Sequence, residues 1–463
     1  MTTRTLRHAL KAGIVAIGGV SAWGLAIGFA CAQVPGPGNF TPANMSTPQA
    51  QFGQKLLDHG IYLRSYYTGD LSGNVTGGLK QGADYADELN LGADVNMQTL
   101  AGIPGGAMHI TVSGRTGRDI SIDTVGNNVL VNQIYGGQGI RLSELTWDQS
   151  LLHGRLDIIA GRTHDSYFAG SPVNCNFMTN AICGRLDSTF RAAGLVSYPV
   201  ATWGARAQIK FTPTTHFLIG VSEMNAKQGL YGRNNLNFTL QNDTGVGIPM
   251  ELVYETNFKQ SAYPTFVQLG GYVNTSKYND PAYNTNGQSL ALAGGKAATH
   301  WGRTGIYTFF NQVVYRPDSS SDRNLRLFGG FTHSLDVPDE ILWGGDAGLL
   351  YTGPLNTRPY DTIGFVATVM HFGGRQITYL KEERALAGGS GTPAANEYIF
   401  EANYGIQATN WLRLLPNIQY VVNPDNLAHP KQAKATPNAF IFGIQMTVNL
   451  VQLAGLPQMA FSH

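Results

Sequence analysis

Apolar and polar residues alternate along the segment 89–98. Leu89 and every second residue after it are apolar, whereas the residues between them are polar or glycine. Successive side chains of a strand point to opposite faces, so this segment is predicted to be a strand with one apolar face and one polar face. The segment from Phe440 to Leu450 shows the same alternation.

The alternation recurs through most of the chain. It is clear at 108–115, 205–212 and 398–407, and further strands are predicted near 140–150, 155–163, 190–198, 215–226, 248–257, 264–275, 304–316, 324–334, 346–353, 361–371, 373–382 and 411–422. With the segments that start at Ile61, about sixteen strands are expected, an even number typical of bacterial outer-membrane barrels. Long loops at one end are predicted at 118–139, 164–189, 228–246, 276–300, 384–396 and 423–437.

The N-terminus has the three regions of a secretory signal peptide. Arg4, Arg7 and Lys11 precede an uncharged apolar run that ends in Ala30-Cys31-Ala32, a small-residue cleavage site. An uncleaved membrane anchor is the alternative, although the many glycines of the run disfavour it. After residue 32 no apolar run of 18 residues occurs, so any spanning structure is expected to be made of strands.

These patterns predict an all-β fold, a transmembrane antiparallel up-and-down β-barrel of about 16 strands with long extracellular loops. The predicted parts are a signal peptide at 1–32, a short N-terminal periplasmic segment at 33–59 that includes a short helix near 54–60, the outer-membrane barrel at 60–450 and a C-terminal tail at 451–463. The tail is unexpected, because outer-membrane barrels usually end their last strand on an aromatic residue, whereas here Phe461 is third from the end.

Composition supports a barrel with a hydrated interior. Only 13% of the residues are charged, against about 25% in an ordinary soluble protein, yet the mean hydropathy is −0.11. Removing Arg4, Arg7 and Lys11 from 31 basic residues leaves 28 against 30 acidic residues, so the mature chain is close to neutral. No nucleic-acid or polyanionic partner is expected, and any steering of ions must be local to the lumen.

Two cysteines remain after the leader, Cys175 and Cys183. In the oxidising periplasm this local pair indicates a disulfide that would stiffen a loop. Metal binding is the alternative, but no histidine lies between the two cysteines and no second cysteine pair exists. No metal site and no cofactor are predicted.

The chain lacks the motifs of common enzymes. Phosphate loops, dinucleotide fingerprints, a G-x-S-x-G elbow and H-E-x-x-H are absent from the sequence. The adjacent residues His164-Asp165-Ser166 cannot converge as a triad, so no enzyme is predicted. What remains is a lumen of neutral polar groups with a few charges, among them Asp94, Arg115, Arg206 and Glu401. Amides, arginines and carboxylates suit sugar hydroxyls, and a pore selects by its lining and its diameter.

Several blocks resemble the carbohydrate-selective porin (OprB-type) family of Gram-negative outer membranes. They keep their order along nearly the whole mature chain: Gly77–Tyr85, Leu89–Asp94, Ala101–Arg118, Gly161-Arg162, Phe168-Ala169, Cys175–Met178, Ala181–Gly184, Tyr198–Gly204, Gly245–Glu251, Gly353–Leu355, Arg358–Thr362, Trp411-Leu412 and Pro416–Tyr420.

The resemblance implies a sixteen-stranded barrel through which glucose and related mono- or oligosaccharides diffuse into the periplasm. It also implies a constriction of arginines and acidic residues around the sugar path. The residues that fall in matching blocks, and are therefore expected to line it, are Asp94, Arg115, Arg162, Trp203, Glu251 and Arg358.

Two other functions fit parts of the pattern. An outer-membrane barrel enzyme acting on lipid or glycan would need a nucleophile or an acid pair at the rim. A secreted polysaccharide-binding β-protein would bury its apolar faces in a core. The expected partners of a porin are its carbohydrate substrate, outer-membrane lipid and lipopolysaccharide. A homo-oligomer is possible, because a subunit interface and a lipid-facing surface are both apolar.

Overall fold

The structure, a computed structural model, describes residues 39–461 except 137, 171–176, 181–186, 226, 228–233, 241–243 and 425–426. Its main feature is one closed sheet. The strands are β1 Ile61–Thr76, β2 Gly82–Asn96, β3 Gly106–Gly117, β4 Gly139–Leu151, β5 Leu156–Thr163, β6 Thr202–Thr212, β7 Thr215–Met224, β8 Gly245–Glu255, β9 Thr265–Asn284, β10 Ala297–Tyr315, β11 Asn324–Ser334, β12 Ile341–Thr352, β13 Thr362–Phe372, β14 Asn396–Gln407, β15 Leu412–Val422 and β16 Ala439–Asn449.

These strands form an antiparallel up-and-down barrel. Each strand pairs with its neighbour in sequence, and β1 also pairs with β16, in a register that sets Tyr66 opposite Asn449. Closure leaves no free strand edge, which is what a β-structure in a lipid bilayer requires. The predicted fold class is therefore confirmed.

Short helices occur outside the barrel wall and in its loops. They are Pro48–Asp58, Met97–Ala101, Asp187–Ala193, Leu290–Ala293, Gly374–Leu386 and Leu450–Leu453, with single irregular turns at Ser121–Val125 and Asp165–Tyr167. None of the helices in the described part of the chain is long and apolar enough to cross a membrane.

Two predicted strands and one predicted loop were wrong. The segments 190–198 and 373–382 were predicted to be strands, but the first begins inside the helix Asp187–Ala193 and continues as irregular chain, and the second lies almost entirely in the helix Gly374–Leu386. Short apolar runs do not distinguish a strand from a helix. The segment 276–300, predicted to be a loop, is mostly the tall end of the β9–β10 hairpin.

The alternating side chains of the strands point to the sides of the barrel that the sequence predicted. Leu89 and Leu91 are 39% and 49% exposed on the outside of the barrel, whereas Asn90 and Asp94 are buried on the inside. Outward apolar residues on other strands continue this belt, including Ile110, Ile209, Phe310, Phe365 and Phe442. The apolar phase therefore faces lipid, contrary to what a soluble polysaccharide-binding protein with a buried core would show.

The two ends of the barrel differ in the length of their connections. One end carries the loops L1 77–81, L2 118–138, L3 164–201, L4 225–244, L5 285–296, L6 335–340, L7 373–395 and L8 423–438, and the other carries shorter turns such as 152–155 and 213–214. Outer-membrane barrels place long loops outside the cell and short turns in the periplasm. The helix Pro48–Asp58 and the segment after β16 both lie at the turn end.

Two long loops fold into the barrel. Loop L3 sets Phe168 and Met178 against inward apolar residues of seven strands: Leu218, Val253, Phe266, Phe309, Phe328, Leu350 and Val366. We call this inner surface of β7–β13 the apolar wall. Nearer the extracellular end, loop L2 packs Ile120, Val125, Val129 and Val131 against β12–β16.

Inward glycines make room for loop L3. A Cβ atom at Gly220 would lie 2.8 Å from the ring of Phe168, and one at Gly364 would lie 2.9 Å from Cε of Met178. Both distances are too short for a real side chain. The absence of a side chain at these two wall positions therefore lets the loop lie directly against the sheet.

Candidate functional site

The inner faces of β1–β6 form a second, different surface, which we call the polar wall. Its inward residues include Arg64, Glu88, Asp94, His109, Arg115, Glu144, Asp148, Arg206 and Lys210. The side chain of Arg64 keeps 24% of its surface exposed and that of Lys210 keeps 21%, so water reaches this side of the lumen. The polar wall is therefore the side of the lumen on which these charged groups remain accessible to water.

Arg64 is held near the periplasmic end of this wall. Its Nε lies 2.8 Å from Oδ2 of Asp94, and its Nη2 lies 3.6 Å from Glu144 and donates to the Thr111 hydroxyl at 3.3 Å. On the next strand, Nδ1 of His109 lies 2.8 Å from the other oxygen of Asp94. Asp94 thus joins two basic side chains from the strands on either side of it, β1 and β3.

Arg115 occupies the same wall closer to the extracellular end. Its Nε and Nη2 donate to one oxygen of Glu88 at 3.1 and 2.8 Å, and its guanidinium stands 5.1 Å from the centre of the Tyr198 ring. The Tyr198 hydroxyl donates to the other oxygen of Glu88 and accepts from the Asn90 amide at 2.7 Å. Tyr198 belongs to loop L3, so the loop contributes to the site.

Arg206 faces the lumen from β6. Its guanidinium lies 3.7 Å from the centre of the Tyr167 ring, and the Tyr167 hydroxyl donates to Glu144 at 2.5 Å. Glu144 is the carboxylate that also approaches Arg64. Arg64 and Arg206 are therefore linked through Glu144 and Tyr167, and His164, which stacks on Tyr167 and meets Tyr198 edge to face, connects them to the Arg115 group. These contacts fix the otherwise flexible guanidinium groups.

Two glutamates of β14 hold the loops inside the barrel. Glu401 accepts from the backbone N–H groups of Thr179 and Asn180 at 3.0 Å, from the Thr179 hydroxyl at 3.1 Å and from the Asn403 amide at 2.7 Å. Glu397 accepts from the backbone N–H groups of Asn128 and Val129 at 2.7–3.0 Å. Glu401 thereby fixes loop L3, and Glu397 fixes loop L2.

Two further carboxylates fix the ends of loop L3. Glu251 accepts from the Ala169 N–H at 3.1 Å and from the Tyr307 hydroxyl at 3.0 Å. Asp165 accepts from the Val196 N–H at 2.9 Å and from the Ser222 hydroxyl at 2.8 Å. Burial raises the pKa of the Asp165 carboxyl to about 6, against the lowering effect of these two hydrogen bonds.

Arg162 and Trp203 lie on the outer side of the wall. They are opposite each other in the β5–β6 register, in the same phase as the exposed residues Ile158 and Ile209. Arg162 donates to the carbonyls of Ala201 and Asn235 at 2.6 and 3.2 Å, and the Trp203 indole donates to the carbonyl of Phe238 at 2.9 Å. Asn235 and Phe238 belong to loop L4, which covers this position.

Arg358 lies in the periplasmic turn 353–361. It donates to Asp361 with Nε and with Nη2, the latter at 3.0 Å, and to the carbonyl of Gln407 at 3.4 Å. These contacts stabilise the turn and place Arg358 away from the network of Arg64, Arg115 and Arg206. Cys175 and Cys183, the predicted disulfide, lie outside the described residues.

The structure thus brings together only some of the predicted site residues. Asp94, Arg115 and Arg206 share the polar wall, while Glu251 and Glu401 are turned toward loop L3. Sequence reasoning missed Arg64, Glu88, Glu144, Tyr167 and Tyr198. Glu88 shares the inward phase of Asn90 and Asp94, so alternation could have found it, but the two tyrosines belong to a loop whose path alternation does not reveal.

Comparison with known proteins identifies relatives along most of the chain. Residues 80–450 match the family described as carbohydrate-selective porin, OprB family. Porin B of Pseudomonas aeruginosa is 26% identical over 412 residues, which cover 85% of this chain and 88% of that protein. A protein named putative porin QuiX, from Acinetobacter baylyi, is 23% identical and covers 86% of this chain and 90% of its own length.

Solved structures give the same result for the fold. The high-pH structure of Pseudomonas putida OprB superposes with a TM-score of 0.77 at 27% identity, covering 85% of this chain and 95% of that one. The low-pH structure of the same protein gives a TM-score of 0.54 at 21% identity, covering 88% and 99%.

Proposed function

Since this chain belongs to the carbohydrate-selective porin, OprB family, we propose that glucose and related sugars diffuse passively along its polar wall. The chain is an outer-membrane porin for carbohydrates. Beyond this function, we propose a route through the barrel and the residues that line it. Sugar would pass Arg115 and Tyr198, then Arg206 and Tyr167, and leave past Arg64 and Asp94.

The main support for this proposal is the arrangement of Arg64, Arg115 and Arg206. Each guanidinium is held by a carboxylate or a tyrosine ring, so its orientation is fixed. Fixed donors with carboxylates beside them match sugar hydroxyls, which both donate and accept. The tyrosine rings add apolar faces suited to the C–H surface of a pyranose.

Charge balance on the polar wall supports a neutral substrate. Arg64, Arg115 and Lys210 each lie within 2.8 Å of an acidic partner, namely Asp94, Glu88 and Asp157. Paired charges create a weak net field, so ions of either sign are not strongly favoured. The site residues Glu251 and Glu401 support the same function indirectly, because they hold loop L3 where it narrows the lumen.

The first experiment is liposome swelling with a graded series of sugars. We expect rapid swelling in arabinose and glucose and progressively slower swelling in larger oligosaccharides. Sugar recovered from the vesicles should be chemically unchanged, as passage without a reaction requires. If glucose causes no swelling of vesicles that contain folded protein, the proposed route and substrate are both wrong.

The second experiment tests Arg115 in planar bilayers. In R115A the glucose concentration that halves the ion current should rise about tenfold, the equivalent of about 1.4 kcal/mol for the lost charge-assisted hydrogen bonds. The ion conductance should increase, because the side chain no longer occupies the lumen. R155A, which removes an exposed arginine in the turn 152–155, is the matched control. A half-blocking concentration within twofold of the wild-type value would remove Arg115 from the sugar path.

Three further predictions concern the signal peptide, the disulfide and the oligomeric state. We propose that residues 1–32 are removed on export, which N-terminal sequencing of the envelope protein would test, with Gln33 as the expected first residue. A disulfide between Cys175 and Cys183 stays a prediction, tested by the mass change of the intact protein on reduction. A homo-oligomer also stays a prediction, tested by the native mass in detergent.

A further inference from the structure

Both ends of the described chain meet beneath the barrel. Phe40 and Gln458 form a two-way backbone bridge, with N–H to carbonyl distances of 2.7 and 2.9 Å. The Asn449 amide at the end of β16 donates to the Gln458 side chain at 2.8 Å, and the Ala460 N–H donates to Asn39 at 3.1 Å. The segment after β16 is therefore fastened to the periplasmic end of the barrel.

The helix Pro48–Asp58 packs closely against this segment. A Cβ atom at Gly53 would lie 2.5 Å from Cδ of Pro457, so the helix backbone and the proline are in direct contact. Gly53 is buried, and Ala50 in the same helix is fully buried. This packing fixes the path of residues 456–461, which we call the C-terminal strap.

The strap ends with Phe461, which lies at the periplasmic end of the polar wall. The Phe461 ring meets Tyr62 edge to face, with centroids 5.3 Å apart, and meets His109 in the same way at 5.5 Å. Tyr62 shares the inward phase of β1 with Arg64, and His109 is the partner of Asp94. An aromatic ring from the last residues of the chain therefore stands where the path leaves the barrel.

We propose that Phe461 and Tyr62 form a second narrowing of the sugar path, at its periplasmic exit, and that Phe461 helps to set the size of sugar that passes. The proposal rests on the proposed route along the polar wall. The edges of the two rings reduce the width of the exit, while Asp94 and His109 beside them offer hydrogen bonds to sugar hydroxyls. The strap holds the ring in place through the Phe40–Gln458 bridge.

The test compares F461A with F461W. In F461A the single-channel conductance should rise about twofold, and the swelling rate in a trisaccharide relative to glucose should rise at least threefold. In F461W both quantities should fall below the wild-type values. M459A is the matched control, because Met459 lies in the same strap but is 49% exposed, and it should behave as the wild type.

These measurements distinguish a failure of the Phe461 inference from a failure of the proposed sugar route. Single-channel conductance is measured per inserted barrel, so a lower yield of F461A does not affect it, and F461W preserves an aromatic residue near the C-terminus. If the wild type admits glucose but neither variant changes conductance or the trisaccharide ratio, Phe461 only packs the strap and the inference is wrong. If the wild type itself admits no glucose, the proposed route fails first.

Discussion

The polar wall and the apolar wall are built from strands of one barrel with the same alternation, yet they present different inner surfaces. On β1–β6 the inward side chains are mostly polar and include several charged residues, of which Arg64 keeps 24% of its side chain exposed. On β7–β13 the inward side chains include Phe309 and Phe328, each 1% exposed beneath loop L3. The first wall contacts water, and the second contacts protein.

The difference shows what decides the polarity of a barrel interior. Inward positions are polar where water fills the lumen, but they become apolar where a loop replaces the water. Loop L3 brings its own apolar anchors, Phe168 and Met178, to the apolar wall, and its tyrosines to the polar wall. The same loop therefore completes a protein core on one side of the barrel and contributes tyrosines to the polar wall on the other.

The largest effect is expected from breaking the contact of loop L3 with the apolar wall. In F168A the loop loses a buried ring, at a cost of about 3–5 kcal/mol, and we expect it to leave the wall. Single-channel conductance should rise severalfold, and the cut-off in sugar size should be lost. F211A removes an outward ring that is 55% exposed and serves as the control. Unchanged conductance in F168A would show that other contacts suffice to hold the loop.

A smaller effect is expected from Glu401, the β14 carboxylate that fixes loop L3 beside the apolar wall. E401Q replaces an acceptor of several N–H groups by an amide, at a cost of about 1.5–3 kcal/mol for the charge-assisted hydrogen bonds. Limited proteolysis should then cut loop L3 faster, while E397Q should expose loop L2 instead. D318N, which replaces an exposed carboxylate in the periplasmic turn 316–323, far from both loops, is the control. Equal cleavage of both loops in E401Q and E397Q would contradict separate anchoring.

The smallest effect concerns the pH dependence of Asp165. Its pKa is raised to about 6 by burial, above the ordinary aspartate value of 3.8, so the folded state binds a proton more tightly than the unfolded state. The contribution to stability is therefore present at low pH and is lost as pH rises through about 6. Between pH 7 and pH 5 we expect a gain of about 1 kcal/mol from this group.

Thermal unfolding of the purified barrel measures this gain. D165N cannot titrate, so its unfolding midpoint should rise less than that of the wild type when the pH is lowered from 7 to 5. D318N, which removes an exposed carboxylate in a periplasmic turn, should keep the wild-type difference. A wild-type difference retained in full by D165N would assign the pH dependence to another group.

Much of the barrel could be predicted from the sequence because alternation is a direct consequence of strand geometry. The phase at Leu89–Gln98 correctly placed Asn90 and Asp94 inside, and it also placed Arg206 on the lumen side. The alternation fails where strands leave the membrane. At the extended end of β9 one face is exposed and the other is buried, but the buried face mixes polar residues such as Asp280 and Asn284 with Tyr278. The segment 276–300 therefore lacks an apolar phase and resembles a loop in the sequence.

The candidate site was less predictable because it depends on loops. Glu401 was expected to line the lumen, but its carboxylate is enclosed by the backbone of Thr179 and Asn180, more than 200 residues away in sequence. Arg162 and Trp203 lie in blocks that resemble the family, yet loop L4 covers them on the outer side. Strand phase gives the direction of a side chain, while only tertiary structure gives its contacts.

The glutamates of β14 also bear on the order in which the barrel assembles. Glu397 binds residues 269 positions earlier in the chain, and Glu401 binds residues 222 positions earlier. Such contacts close very long segments of chain and form late for that reason. Loop L2 and the Thr179-Asn180 part of loop L3 cannot bind these two glutamates until β14 is in place, so we expect an assembling barrel to have a wider lumen before these contacts form. The narrow channel is then one of the last features to appear.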